Sequence, residues 1–183
     1  SYNDMQNAKA IRFMGSNAAE AHPVAMLHVL HAKENGAKVM VIDPRFTRTA
    51  AKADQYVRIR SGTDIPVIWG ILYHVFKNGW EDKKYIDDRV YGMDKVREEV
   101  MKWTPDRVKE VCGVEEADLY RIAETMAQNR PSTIVWCMGQ TQHTIGNAMV
   151  RAFCCLQLAL GNIGTSGGGA NIFRGHDNVQ GAT

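Results

Sequence analysis

The chain has 183 residues, 45% of them hydrophobic, 23% charged and 8% aromatic, with a net charge of +2. That length and composition suit one globular domain with one core, and the near-neutral charge excludes the basic excess of a general nucleic-acid binder. No run approaches the ~18 consecutive apolar residues of a membrane span. The cysteines at 112, 137, 154 and 155 form no C-x-x-C pair, which argues against a zinc site or an iron–sulfur cluster within the chain. Cys154 and Cys155 lie in an apolar stretch and read as small core residues.

Taken in order, strands alternate with helices. Ala10–Met14 (AIRFM) is a strand, followed by a loop over Gly15–His22. A helix opens at Pro23, where the missing N–H has no partner to lose, carries Met26, Val29 and Leu30 inward, and stops at Asn35-Gly36. Lys38–Ile42 (KVMVI) is a second strand, so residues 10–42 form a βαβ unit. A short helix near Thr47–Lys52 leads to a third strand, Tyr56–Ile59. Asp64–Lys77 reads as a helix with Ile65, Ile68, Trp69, Leu72 and Phe76 in one apolar stripe and Asp64 as its N-cap. Residues 80–113, broken by Gly92, Pro105 and Gly113, read as short surface helices. Leu119, Ile122, Ala123 and Met126 mark another amphipathic helix. Ser132–Met138 (STIVWCM) is a buried strand, and the helix from Asn147 to Leu160, apolar on most sides, is expected to be covered on both faces. From Gly161 the chain turns irregular, five of residues 161–169 being glycine. The predicted class is α/β: a parallel sheet flanked by helices on both faces, with an irregular glycine-rich C-terminal tail. The irregular ending at Thr183 is read as a cut within a longer protein, and the start at Ser1 likewise.

Ligands in open α/β sheets gather at the C-terminal ends of the strands, and five polar segments stand there. In Gly15-Ser-Asn-Ala-Ala-Glu-Ala-His-Pro23 a glycine turn runs into a helix start, suited to phosphate; Glu20 and His22 are either ligand contacts or helix caps. The spacing is not G-x-G-x-x-G, so an ordinary NAD site is poorly supported. In Ile42-Asp-Pro-Arg45, Asp43 is placed to accept ribose hydroxyls and Arg45 to meet a phosphate, against the plainer reading of an Asp-Pro turn. In Arg60-Ser-Gly-Thr-Asp64, which includes Gly62, a carboxylate can accept from the N1–H and exocyclic amine of guanine, or simply cap a helix. Met138-Gly-Gln-Thr-Gln-His-Thr-Ile-Gly146 offers Gln140, Thr141, Gln142 and His143 to a ligand rich in heteroatoms, although a lone His143 is more often a satisfied loop histidine. In the tail, Arg174 and His176 flank one glycine; arginine matches a small carboxylate through two parallel hydrogen bonds, or is a plain surface residue.

The runs G-S-N-A-A-E-A-H-P, I-D-P-R, R-S-G-T-D, W-C-M-G-Q-T-Q-H, L-A-L-G-N-I-G and F-R-G-H-D-N-V-Q-G-A, in that order, resemble the catalytic subunit of molybdenum- or tungsten-dependent formate dehydrogenases, within the molybdopterin oxidoreductases. The resemblance covers Ala8 to the last residue; the early motifs belong to the wider family and the F-R-G-H-D-N-V-Q-G-A run is more specific. It implies that residues 1–183 are the Rossmann-like αβα domain that binds molybdopterin guanine dinucleotide, excised from a larger multidomain subunit. Two such cofactors hold Mo or W in the family. By position, Gly15, Asn17 and Glu20 match contacts to one cofactor's diphosphate and guanosine, Asp43, Arg45 and Asp64 its ribose- and guanine-reading positions, and Met138, Gly139 and Gln142 contacts near the other. Arg174 matches the arginine that orients formate beside the metal; His176 stands where relatives can carry glutamine.

The implied reaction is oxidation of formate to carbon dioxide, with electrons leaving through iron–sulfur clusters. The implied partners are other domains of the same subunit and an iron–sulfur electron-transfer subunit, with no nucleic acid and no membrane segment. Similar sequences are often periplasmic and in other cases cytoplasmic. The family's metal-ligating cysteine or selenocysteine, its four-cysteine cluster motif and the remaining domains are not in this sequence, so the chain alone is expected to be inactive and cofactor-free or weakly binding. Two other readings stand beside this one: another molybdopterin oxidoreductase, such as a nitrate reductase, and a non-catalytic nucleotide-binding α/β module.

Overall fold

The computed structural model of the chain describes residues 2–175. Among the described residues five parallel strands form one sheet: β1 (Ala10–Met14), β2 (Lys38–Ile42), β3 (Gln55–Val57), β4 (Ser132–Trp136) and β5 (Gly169–Ile172), in the order β3-β2-β1-β4-β5. β1, β2 and β4 are buried along all or nearly all of their length, as strands covered on both faces are. From β1 the chain winds outward through β2 to β3, then returns to place β4 on the other side of β1. The direction of winding therefore reverses between β1 and β4, where Met14 lies opposite Trp136. A crevice opens outside the C-terminal ends of strands at such a reversal.

The helices cover both faces. On one side lies α2 (Pro23–Glu34), preceded by the single turn α1 (Ala18–Ala21). It buries Ala25, Met26, Val29 and Ala32 against Ile11, Phe13, Val39, Val41 and Val135. On the other side α3 (Asp64–Lys77), α7 (Glu116–Gln128) and α9 (Gly146–Ala159) pack on Met14, Met40, Ile42, Ile134 and Trp136. The stretch between α3 and α7 holds the expected short helices, which are α4 (Lys83–Arg89), α5 (Met93–Val100) and α6 (Pro105–Cys112). A last single turn, α8 (Met138–Thr141), follows β4. Arg12 is the exception in the core. It is fully buried in the central strand, its guanidinium over the Phe153 ring at 5.5 Å, with no acceptor for any of its three side-chain nitrogens among the described residues.

Several expectations are corrected. The third strand covers Gln55–Val57 rather than Tyr56–Ile59, and only Ala50–Lys52 of the 47–52 stretch is helical. The buried face of α3 is wider than the predicted stripe: Ile68, Leu72 and Phe76 are buried as expected, Ile65 and Trp69 are half-buried against the same core, and Val67, Ile71 and Val75 are buried as well. The helix packs against α5, α6, α7 and α9 as well as the sheet side, so apolar residues around most of its circumference find cover and periodicity alone does not single out the inner face. Conversely α9 leaves Asn147, Ala148 and Arg151 exposed, so it is not covered on both faces; Cys154 and Cys155 are half-buried beside that open side rather than in the core. The tail is not wholly irregular, because Gly169–Ile172 pairs with Thr133–Trp136 as an edge strand. Glycine carries almost no strand signal, and only the neighbouring strand reveals the pairing.

Candidate functional site

The loops after β1, β2, β3 and β4 converge on the crevice. Asn17 ties the first two. Its Nδ2 donates to Glu20 at 2.6 Å, and its Oδ1 accepts from the Thr49 hydroxyl at 3.0 Å. Thr49 in turn accepts from the Ala19 backbone N–H. Glu20 completes the link through an exposed ion pair with Arg48. Neither Glu20 nor His22 caps a helix through its side chain, and neither lines the cavity that the convergence creates.

That cavity, about 250 Å³, is lined by Gly15, Asn17, Asp43, Arg45, Gly62, Asp64 and Gly139, together with Ser16, Pro44, Thr47, Ile59, Ser61, Gln140 and His143. Asp43 accepts the Arg45 backbone N–H at 2.9 Å, an Asx turn that sets the carboxylate at the end of β2. Burial pushes the Asp43 carboxyl above its usual range; the hydrogen bond and charge of Arg45 oppose this, and the nearby Asp64 charge adds to it. Asp64 does not cap α3: Thr63 holds the cap position and Asp64 is the first helical residue. Its carboxylate is buried and accepts from the Gln140 side-chain amide at 2.6 Å. Thr49 organises the site without having been assigned to it from sequence, and Gln140, expected to face a ligand, instead holds Asp64. The polar T-x-T after I-D-P-R and the first glutamine of M-G-Q-T-Q-H are the signals that mark them.

Two glycines let the loops of β1 and β4 touch. Gly15 has φ +61°, and the Gly139 N–H donates to the Gly15 carbonyl at 3.2 Å. A Cβ on Gly139 would lie 2.7 Å from that carbonyl oxygen and 2.8 Å from the Gly15 Cα, both backbone atoms that cannot swing away. Gly139→Ala is therefore expected to lower stability by about 1–3 kcal/mol, the usual cost of overpacking, read as a drop in the urea midpoint with an unchanged slope.

The turn that carries Gly139 separates this cavity from a second one of about 330 Å³, lined by Trp136, Cys137, Met138, Thr141, Gln142, Val150, Ile172, Phe173, Arg174 and Gly175. Residues of one short segment thus alternate between the two: Gly139, Gln140 and His143 face the first, Met138, Thr141 and Gln142 the second. The second cavity is mostly apolar, and Arg174 is its only charged lining residue among the described residues. Phe173 brings Arg174 there. It is fully buried, its ring 6.2 Å from Phe13 and 5.1 Å from His22, and its N–H donates to the Trp136 carbonyl. His22 Nε2–H donates to the Arg174 carbonyl at 2.6 Å, so the histidine expected to cap a helix or meet a ligand holds the arginine's backbone. The Arg174 Nε is buried without an acceptor among the described residues. His176 lies outside the described residues. Among those described, no group of three or more His, Cys, Asp or Glu side chains is placed to hold a metal ion, and no helix is long and apolar enough to cross a membrane.

The profile of one family, described as molybdopterin oxidoreductase, matches residues 1–183. The chain is 38% identical, over its full length, to the F420-dependent formate dehydrogenase subunit alpha of Methanocaldococcus jannaschii, of which it covers 27%. It is 35% identical, over 98% of its length, to the nitrate-inducible formate dehydrogenase major subunit of Escherichia coli, of which it covers 23%. Among solved structures, acetylene hydratase from Pelobacter acetylenicus shares the fold with a TM-score of 0.81 at 22% identity, over 89% of this chain and 24% of that one. The chain thus spans about a quarter of the length of these relatives.

Proposed function

This chain belongs to the molybdopterin oxidoreductase family, and on that footing we propose that it is the part of a formate dehydrogenase catalytic subunit that grips the guanosine ends of two molybdopterin guanine dinucleotides. The observation that carries the reading is the gathering of Gly15, Asn17, Asp43, Arg45, Gly62 and Asp64 around one cavity at the strand reversal. In this reading the whole chain is one domain of a larger subunit.

The residues present fit such a ligand. Asp43, held above its usual carboxyl range by burial, gains from ribose hydroxyls that donate to it. Asp64 presents acceptors to the donor edge of guanine, and Arg45 meets negative charge. Gly15 and Gly139, where a side chain finds no room, leave backbone close to a diphosphate. Met138 and Gln142 serve the second cofactor, whose cavity begins on the opposite side of α8; Gly139, expected beside them, lines the first cavity instead. A pterin-held Mo or W, when bound, supplies the two-electron chemistry, and iron–sulfur clusters elsewhere in the protein and its partner subunit take the electrons.

Arg174 is the residue we assign to formate. A guanidinium whose Nε has no acceptor among the described residues, in a mostly apolar cavity, is a strong partner for a small carboxylate, because two parallel charge-assisted hydrogen bonds act there with little screening. They fix the carboxylate plane and leave the C–H pointing away from the arginine, an orientation effect. The His22 bond to its carbonyl keeps this segment in register with the cavity. In the intact subunit, Arg174→Lys keeps the charge but loses the fork and is expected to raise the KM for formate at least ~10-fold. An unchanged KM in steady-state assays overturns the assignment. For the cofactor, a titration of the chain with GDP followed by NMR is expected to shift resonances at Gly15, Asp43 and Asp64, with ADP much weaker; equal response to both nucleotides overturns the guanosine reading.

A further inference from the structure

We propose that Gln140 is a positioning residue for base recognition, clamping one oxygen of Asp64 so that the rest of the carboxylate is presented to guanine. The inference rests on the guanine reading of Asp64 given above and adds to it a residue which that reading does not use.

Gln140 is 1% exposed and Asp64 4%. The 2.6 Å bond from the Gln140 Nε2 is the only protein hydrogen bond that the Asp64 carboxylate makes among the described residues. It joins the turn after β4 to the start of α3, 76 residues away in sequence, across the strand reversal where the ligand cavity lies. Gln140 has little freedom to release it. Its backbone N–H donates to the Cys137 carbonyl at 3.2 Å, and its side chain lies against Gly15, where a Cβ would stand 2.7 Å from Nε2 and 2.9 Å from Cγ. The φ of +61° at Gly15 and the missing side chain there admit the glutamine.

The bond has a cost that points away from a purely structural role. With the amide nitrogen turned to Asp64, the Gln140 Oε1 is buried and finds no donor among the described residues. A buried orphan oxygen offsets much of what one hydrogen bond contributes to stability. What the arrangement retains is direction: a carboxylate tethered at one oxygen keeps its remaining lone pairs turned to the cavity it lines, where the N1–H and exocyclic N–H of guanine are both donors. Preorganisation of this kind lowers the ordering cost of binding.

The test uses GDP and ADP titrations of the 183-residue chain and its variants between pH 5 and 8, each with a thermal melt. Gln140→Leu keeps the bulk and removes the donor; it is expected to lower GDP affinity at least ~10-fold while the weak response to ADP stays as it was. Gln140→Glu sets two carboxyls side by side, which ionise together only with difficulty. Sharing a proton at acid pH, the pair restores a donor to Asp64, so this variant is expected to bind GDP nearly as well as wild type at pH 5 and to lose affinity as the pH rises. The charged or titratable neighbours are Asp43 and Arg45 after β2, Cys112 on α6 and His143 after α8. All are common to both proteins, so the difference between the two profiles isolates position 140. Should Gln140→Leu fail to fold, the Gln140→Glu profile decides alone. GDP affinity unchanged in Gln140→Leu, or a Gln140→Glu profile parallel to wild type, overturns the inference and leaves the guanine reading standing. A wild-type chain that does not prefer GDP overturns both.

Discussion

Asp64→Asn is expected to cost about ten- to hundredfold in GDP affinity and to narrow the preference for GDP over ADP. The substitution is nearly isosteric and exchanges one acceptor oxygen for an NH2 donor. Guanine turns two donors toward this position, so a donor now faces a donor. Losing a hydrogen bond to a charged acceptor costs ~1.5–3 kcal/mol, which the tenfold-per-1.4 kcal/mol relation converts to the stated range. Adenine presents an acceptor at N1 and a donor at its exocyclic amine, a pattern that an asparagine amide can match, so the ADP response is expected to hold or improve. Stability should move little. The asparagine keeps an oxygen for the Gln140 amide, and the first turn of α3 loses only the ~0.3–1 kcal/mol with which its dipole favours a carboxylate. Paired titrations with the two nucleotides, alongside a melt, separate loss of recognition from loss of fold. GDP affinity equal to wild type would remove Asp64 from the site.

The second large effect is on stability, and its sign is opposite to that of most core substitutions. Arg12→Met is expected to stabilise the domain by ~2–4 kcal/mol, raising the midpoint of thermal unfolding by ~5–15 °C for a chain of this length. Arg12 is fully buried at the middle of the central strand, between Met40 and Ile134 in register. Its guanidinium meets the Phe153 ring and no acceptor among the described residues. Removing a cation from water without a partner costs several kcal/mol even after relaxation, and one ring face returns at most ~2 kcal/mol of that. Methionine has a similar length, a flexible chain and no charge to desolvate.

Burial alone pushes the Arg12 pKa down to about 9, which gives the effect a pH signature. Below pH 9 the group is charged in both the folded and unfolded chain, so the full penalty is present and the gain from Arg12→Met is constant. Above pH 9 the folded state releases the proton while the unfolded state still holds it. Stability of the wild type therefore rises with pH in that window relative to the variant. Urea unfolding of both proteins at pH 7 and pH 10 is expected to show the gap narrowing. A destabilised Arg12→Met variant would mean that the cation is compensated after all.

Much of this molecule can be read from its residues. The strands at 10–14 and 38–42 and the helices opening at Pro23 and Asp64 stand where local pattern puts them. Each is long or bounded by proline or glycine, so that few neighbours are needed to specify it. The edge strand at Gly169–Ile172 is different, because a glycine-rich segment has no local reason to be extended and becomes a strand only where Thr133–Trp136 offers a free edge. The buried face of α3 is wider than its own stripe for a related reason. Several elements pack around that helix, so its burial reports the company it keeps rather than its own periodicity.

At the site, composition and motif order by themselves determined the α/β class, the family to which the chain belongs and the segments that would meet at one rim. Chain-local chemistry is enough for this, since strand ends, glycine turns and carboxylates are properties of short runs. Only the tertiary structure decided that Gln140 rather than solvent holds Asp64, that His22 serves the backbone of Arg174, and that Arg12 is buried without an acceptor among the described residues. Those contacts join residues 76, 152 and 141 positions apart (the last being Arg12 and Phe153). Such partners are chosen by which loops the winding of the sheet brings to one place, a relation between distant residues that no short run of sequence contains.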